Sequence, residues 1–238
     1  NNPAPQASIN VIKDTVAPVV IVGGDIVSKV AVAINANSSD TNTLSYQWTQ
    51  LNGPGTISFT AATSEDTSVQ ADQDGVHRIR LTATDLAGNS GSAELNYTRD
   101  TSVPTVAISS PTHNSYVNAA QIAAVTLSGT CSENDRTVFI NGHVNASTIC
   151  SNNTWSVQVN YSAKSEGNLL VQANFDDAAG NLAVPSQITL IKDTTAPLVN
   201  VGADKTVNVM SLVNATTTDT HSMTYLWSKV SGSGDLTY

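Results

Sequence analysis

Apolar and polar residues alternate along most of this chain with a period of two. Ile79, Leu81 and Ala83 fall on one face of the stretch 76–85, and Ala93, Leu95 and Tyr97 on one face of the stretch after it. Trp155, Val157 and Val159, then Leu169, Val171, Ala173 and Phe175, repeat the pattern further on. A period of two sends successive side chains to opposite faces of an extended strand, so each stretch is predicted to be a half-buried β-strand. Shorter strands are expected at 19–22, 30–34, 44–50, 57–59 and 67–70, and again at 106–108, 125–127 and 137–140. Asn141-Gly142 reads as a hairpin turn. Leu, Glu, Lys and Arg at helical spacing are almost wanting, and the chain is predicted to be all-β.

One short polar motif punctuates these strands three times. Lys13-Asp14-Thr15-Val16-Ala17-Pro18 returns as Arg99-Asp100-Thr101-Ser102-Val103-Pro104 and as Lys192-Asp193-Thr194-Thr195-Ala196-Pro197. The copies lie about one small β-sandwich domain apart, roughly 100 residues. Proline fixes its own φ, lacks an N–H and pushes the residue before it towards extended backbone, which suits a short, stiff joint. The expected organisation is therefore tandem immunoglobulin-like β-sandwich domains, two complete plus terminal fragments. Residues 1–14 would be the last strand of a preceding domain plus a joint, because 5–13 resembles 185–192. Residues 15–101 and 102–194 would be complete domains, and 195–238 the first half of another. That last segment aligns with the first domain without a gap: Gly23, Asp25, Asn35, Asp40, Tyr46, Trp48, Gly53 and Gly55 become Gly202, Asp204, Asn214, Asp219, Tyr225, Trp227, Gly232 and Gly234. Trp48 and Trp227, each in an alternating strand, are expected in cores.

With 238 residues, 40% of them hydrophobic, the chain can bury such cores. A formal charge of −9 argues against a nucleic-acid partner, whose phosphates need clustered Lys and Arg, and makes divalent cations the more natural guests. No apolar run reaches the roughly 18 residues of a membrane helix, so direct membrane insertion is not expected. Asn1-Asn2-Pro3-Ala4-Pro5 lacks the parts of a signal peptide, which places any export signal or anchor outside this piece. Cys131 and Cys150, the two cysteines, bracket a polar segment without Cys-x-x-Cys or metal-ligand spacing. They are read as a disulfide made in an oxidising compartment, two free thiols being the alternative. His77, His113, His143 and His221 are scattered, and neither His-Glu-x-x-His nor Gly-x-Ser-x-Gly occurs, so no catalytic residue is expected. The Asn-x-Ser/Thr triplets at Asn37, Asn96, Asn145, Asn152, Asn160 and Asn214 fit chance in so Asn-, Ser- and Thr-rich a chain.

Tyr46-Gln47-Trp48-Thr49-Gln50-Leu51-Asn52-Gly53-Pro54-Gly55, followed by Asp85-Leu86-Ala87-Gly88-Asn89, resembles the polycystic-kidney-disease-type (PKD-like) immunoglobulin-fold modules. Gly129, Trp155 and Asp177-Ala178-Ala179-Gly180-Asn181 resemble bacterial immunoglobulin-like repeats of large surface adhesins and secreted enzymes. The resemblance implies an extracellular or cell-surface, bacterial setting. It also implies that aspartates at or near domain junctions hold calcium, here Asp85, Asp100, Asp176, Asp177 and Asp193.

The sequence pairs each Asp-x-Ala-Gly-Asn turn with the Asp-Thr joint that follows it, Asp85 with Asp100 and Asp177 with Asp193. A turn before a last strand and a joint after it normally lie at opposite ends of that strand, so direct contact does not follow. A plainer use of the same residues is the turn itself, Gly taking positive φ and Asp accepting backbone N–H groups. The function expected is a non-catalytic stalk or adhesion segment that faces an extracellular protein or glycan receptor. Two alternatives are accessory carbohydrate-binding modules of a secreted hydrolase and a surface filament that self-associates by strand exchange.

Overall fold

The computed structural model describes residues 8–207, 211–219 and 221–231. It is all-β. Nine strands surround the first core: β1 (Val19–Ile21), β2 (Ile26–Ser28), β3 (Val32–Ile34), β4 (Asn37–Ser39), β5 (Ser45–Asn52), β6 (Ile57–Phe59), β7 (Thr67–Ala71), β8 (Gly75–Thr84) and β9 (Ser90–Arg99). A four-stranded sheet, β2-β9-β8-β5, faces a three-stranded one, β3-β7-β6, with β1 and β4 paired beside them. The alternating residues Ile79, Leu81, Leu95 and Tyr97 point inward against Trp48, Val69 and Ile34, and all are buried. Trp48 stacks near Phe59 and donates its indole N–H to the Glu65 carbonyl at 3.1 Å, so its polar atom is satisfied inside the core.

Eight further strands enclose a second core that shares no residue with the first. They are β10 (Val106–Ser110), β11 (Tyr116–Val117), β12 (Val125–Cys131), β13 (Thr137–Gly142), β14 (Ala146–Ile149), β15 (Thr154–Val159), β16 (Gly167–Phe175) and β17 (Ser186–Lys192). Sheet β10-β12-β15 faces sheet β11-β17-β16-β13-β14. Trp155, Leu127, Val138, Ile140, Leu169, Val171 and Phe175 fill the space between them. The Cys131–Cys150 disulfide ties the end of β12 to the residue after β14, and so joins the two sheets. Gly129 has a packing reason: a Cβ there would lie 1.8 Å from the Ala107 carbonyl oxygen and 2.8 Å from the Trp155 ring.

Residues 198–200 and 216–218 form β18 (Leu198–Asn200) and β19 (Thr216–Thr218). Their register, Val199 opposite Thr217, matches Val20 opposite Ser38 in β1 and β4, position for position under the internal alignment. Trp227, however, is 44% exposed where Trp48 is 2% exposed. The described residues of this segment supply no counterparts of β7, β8 and β9, which cover Trp48. Gly232 and Gly234 lie outside the described residues.

Several local expectations are corrected. Asn141 and Gly142 are not the hairpin turn: they continue β13, opposite Gln172 and Val171 of β16, and the chain reverses at residues 143–145. β13 is paired on both sides, and the ladder to β16 carries it past the Asn-Gly pair. Residues 8–13 form no strand, while the stretch they resemble forms β17; the rest of 5–13 lies outside the described residues. β2 and β11 escape the alternation pattern because two or three residues are too short to show one. Each pairs parallel with the end of the long strand before a joint, β2 with β9 and β11 with β17.

Replacing both Cys131 and Cys150 by Ala should lower the stability of the second sandwich by about 3 kcal/mol, the loop-closure value for a cross-link of this span. Denaturant unfolding followed separately at the two cores checks this. The first core should hold its wild-type midpoint.

Candidate metal centres

The two Asp-x-Ala-Gly-Asn turns have the same geometry. Asp85 N–H donates to the Asn89 carbonyl at 3.0 Å, and Gly88 N–H to the Asp85 carbonyl at 3.3 Å. Gly88 has a φ of +93° and Gly180 of +81°, conformations that favour glycine. The Asp85 carboxylate accepts from Asn89 N–H and from the Asn89 side-chain amide, both at 2.8 Å. Asp177 accepts from Asn181 in the same two ways, at 2.7 and 2.8 Å. These bonds let a carboxylate be buried: Asp177 is 1% and Asp85 6% exposed. The Asn89 side chain, followed by backbone N–H groups of the turn, holds the Asp85 carboxyl below the ordinary carboxylate value.

Each turn meets the joint before its sandwich. The Asn181 side-chain amide donates to the Asp100 carbonyl at 2.9 Å, and Asn89 reaches the Asp14 carbonyl at 3.4 Å. The joint aspartates fold back on their own chain, Asp14 accepting from Val16 N–H, Asp100 from Ser102 N–H and Asp193 from Thr195 N–H. The second oxygen of Asp14 accepts from the Asn42 side-chain amide, and that of Asp193 lies 2.7 Å from His221 Nδ1, so both reach into the segment after the joint. A third acid comes from a loop, and the result is a triad at each joint: Asp14, Asp40 and Asp85 at the first, and Asp100, Glu133 and Asp177 at the second. Within each triad one oxygen per residue lies within 4.8 Å of the others.

The third joint keeps the joint aspartate and the loop aspartate, with a histidine of the same loop as its third group. Asp193 and Asp219 come together with His221, again within 4.8 Å. Asp219 aligns with Asp40, and His221 with Asn42. Asn42 donates its backbone N–H to Asp40 at 2.8 Å and its side-chain amide to Asp14; His221 donates its backbone N–H to Asp219 at 2.8 Å and places Nδ1 2.7 Å from Asp193.

These sites re-pair the residues singled out in the sequence. Asp85 meets Asp14, not Asp100, and Asp177 meets Asp100, not Asp193. The turn between two antiparallel strands lies at the end of the sandwich where the chain enters, so its neighbour is the joint upstream. Asp176 stands apart, its carboxylate 3.3 Å from Arg136, whose guanidinium also donates to the carbonyls of Asp176 and Asp177. The sequence reading missed Asp14, Asp40, Glu133, Asp219 and His221 as site residues. The alignment of Asp40 with Asp219 was the available signal.

The donor set fits a hard divalent cation. Calcium takes oxygens at about 2.3–2.6 Å, so ligands on one ion lie no more than about 5 Å apart, and it takes six to eight of them from carboxylates, carbonyls and water. Three carboxylates at that spacing repel one another, and a cation between them reverses the sign of the interaction. In such a site Asp100, Glu133 and Asp177 would hold the ion at the second joint, and Asp14, Asp40 and Asp85 at the first.

One comparison with known proteins bears on the first sandwich. Residues 25–98 match the family model described as "K319L-like, PKD domain". The first sandwich is PKD-like. The matched span contains Asp40 and Asp85 and stops short of both neighbouring joint aspartates, Asp14 and Asp100. No curated protein matches the chain. Among solved structures, the fibronectin(III)-like modules of Clostridium thermocellum CbhA align with a TM-score of 0.47 at 12% identity, over 74% of this chain and 94% of theirs. A tetra-tandem repeat from the extending region of a large adhesion protein gives 0.39 at 22% identity, over 84% and 56%. A 1.5-MDa bacterial ice-binding adhesin gives 0.34 at 20% identity, over 79% and 70%. At these scores none of the three bears on ligand or activity.

Two outcomes are expected without added metal. Because Asp85 is shifted down on folding, the unfolded chain binds more protons in the window just below the ordinary value of 3.8, and stability falls with pH there. Asn89→Ala removes the main cause, so melting temperatures of the first sandwich should depend less on pH below about 4 than in wild type. Asn181→Ala keeps the backbone N–H to Asp177 but removes the side-chain donor of that buried carboxylate and the bond to the Asp100 carbonyl, and should cost the second sandwich about 1–3 kcal/mol in denaturant unfolding.

Proposed function

We propose that this chain is a run of immunoglobulin-like modules from an exported protein, serving as a stalk or adhesive spacer whose joints take calcium. The modules are 15–101, 102–194 and the segment 195–238, each entered through a basic-Asp-Thr joint. The observation that carries the proposal is that clusters rich in carboxylate oxygens recur at the joints of sandwiches of different sequence, each combining one joint aspartate with two groups of the segment after it. A cation there would bond to both sides of the joint and limit its bending. Modules of several tens of ångströms, stiffly joined, add up to reach; that is what a stalk presenting a receptor-binding region to a protein or glycan requires. The disulfide supports an oxidising, extracellular setting, and a bacterial source rests on the resemblance of the repeats. No catalytic group enters the account.

Calorimetric titration of calcium into chelator-treated protein tests the proposal, with thermal melts run beside it. Saturable binding at more than one site is expected, together with a raised melting temperature, about 2.7 kcal/mol of stabilisation at a hundredfold excess over Kd. Asp177→Asn should remove the second joint's share of the heat. Absence of both heat and shift in the wild-type protein would sink the calcium reading.

A further inference from the structure

The joint's basic residue and threonine have partners of their own, and these lie in the module before the joint. Arg99 places Nη1 2.8 Å from Asp74, and Thr101 donates to the same carboxylate through its N–H at 3.1 Å and its hydroxyl at 2.6 Å. One joint later, Thr194 donates its N–H to Glu166 at 3.0 Å and its hydroxyl to the other oxygen of that carboxylate, while Lys192 sits 3.8 Å away. Asp74 and Glu166 occupy the same place in their sandwiches. Each is followed by a glycine, Gly75 or Gly167, that opens a long strand, and that glycine pairs with the basic residue of the joint, Gly75 with Arg99 and Gly167 with Lys192. The aspartate between the basic residue and the threonine has its amide held by the short parallel strand, Asp100 N–H on the Ser28 carbonyl at 3.3 Å and Asp193 N–H on the Val117 carbonyl at 3.1 Å.

In extended backbone, neighbours on either side of a residue point one way and the residue itself points the other. Asp100 and Asp193 lie just past the ends of β9 and β17, and the observed partners divide in the same alternating way: Arg99 and Thr101 on the upstream Asp74 with Asp100 beside Glu133 and Asp177 downstream, and Thr194 on the upstream Glu166 with Asp193 beside Asp219 and His221 downstream. We infer that Asp74 and Glu166 are positioning residues for the joint cation sites: each clasps, from the module before, the joint whose aspartate serves the acidic cluster of the module after. The inference rests on the calcium reading for its ligand, but the clasp itself is a property of the metal-free chain. It makes the basic-Asp-Thr motif a two-sided strap, with outer residues committed upstream and the central one downstream. Lys29 adds to the second joint by donating to the Gly180 carbonyl across it.

The test uses the whole chain carrying spin labels at Thr49→Cys and Gln158→Cys, exposed positions in strands of the first and second modules. Asp74→Ala should broaden the distance distribution between the labels in chelator. It should also weaken calcium binding at the Asp100 site by about tenfold, the low end of what loss of an outer partner costs a metal centre. Asp74→Glu should recover most of that affinity. Asp25→Ala, which removes the carboxylate holding Asn96 within the first module, should change neither readout, even where it lowers that module's melting temperature. Wild-type distances in Asp74→Ala would overturn the inference, as would broadened distances with unaltered affinity. If the wild-type protein takes up no calcium, the calcium proposal fails on its own, and the distances alone decide whether the clasp exists.

Discussion

Everything at the joints depends on one constraint, the two-residue period of an extended chain. Three consecutive side chains in a strand cannot all face the same way. At the second joint Arg99 and Thr101 turn to the Asp74 carboxylate of the sandwich just completed; at the third Thr194 turns to Glu166 while Lys192 donates to the Ser162 and Lys164 carbonyls nearby, and in both the middle aspartate turns to the segment that follows. The proline three or four residues on extends the constraint, since its ring and the restriction on its predecessor keep the backbone from folding back.

The acidic clusters are costly arrangements that the fold supports on both sides. Asp177 is almost wholly buried, and what makes this tolerable is Asn181, which gives the carboxylate a backbone and a side-chain donor and uses its remaining amide hydrogen on the joint. One asparagine thus closes a turn, holds a charge and touches the neighbouring segment. The same residue type in the same place, Asn89, does this work at the first joint. The plain turn and the junction site are therefore not rival uses of the Asp-x-Ala-Gly-Asn sequence. The turn is what delivers the carboxylate to the junction.

Much of the fold was legible because it rests on alternation. Ile79, Leu81, Leu95 and Tyr97 in one sandwich and Leu169, Val171, Ala173 and Phe175 in the other are inward-facing as the pattern requires. The short strands β2 and β11 were not, since two or three residues carry no period, and without them the amide partners of Asp100 and Asp193 could not be foreseen. The sites were half legible. Asp85, Asp100, Asp177 and Asp193 all lie in clusters, but each turn meets the joint before it, whereas the order of the sequence sets it beside the joint after it. Asp85 is close in sequence to Asp100 and close in space to Asp14. Glu133 was invisible: it lies in a loop whose position depends on how β12 and β13 sit in different sheets, and no motif surrounds it. Asp74 and Glu166 differ in residue type, and only the pairing of Gly75 with Arg99 and Gly167 with Lys192 shows them to be counterparts.

Diffraction from crystals grown with a lanthanide in place of calcium addresses the central claim most directly, because such ions share calcium's preference for clustered oxygens and scatter anomalously. The account predicts anomalous density among Asp100, Glu133 and Asp177 and again among Asp14, Asp40 and Asp85, with ligands from both sides of each joint around one ion. Ions found elsewhere on the surface, with both clusters closed up on their own hydrogen bonds, would contradict it.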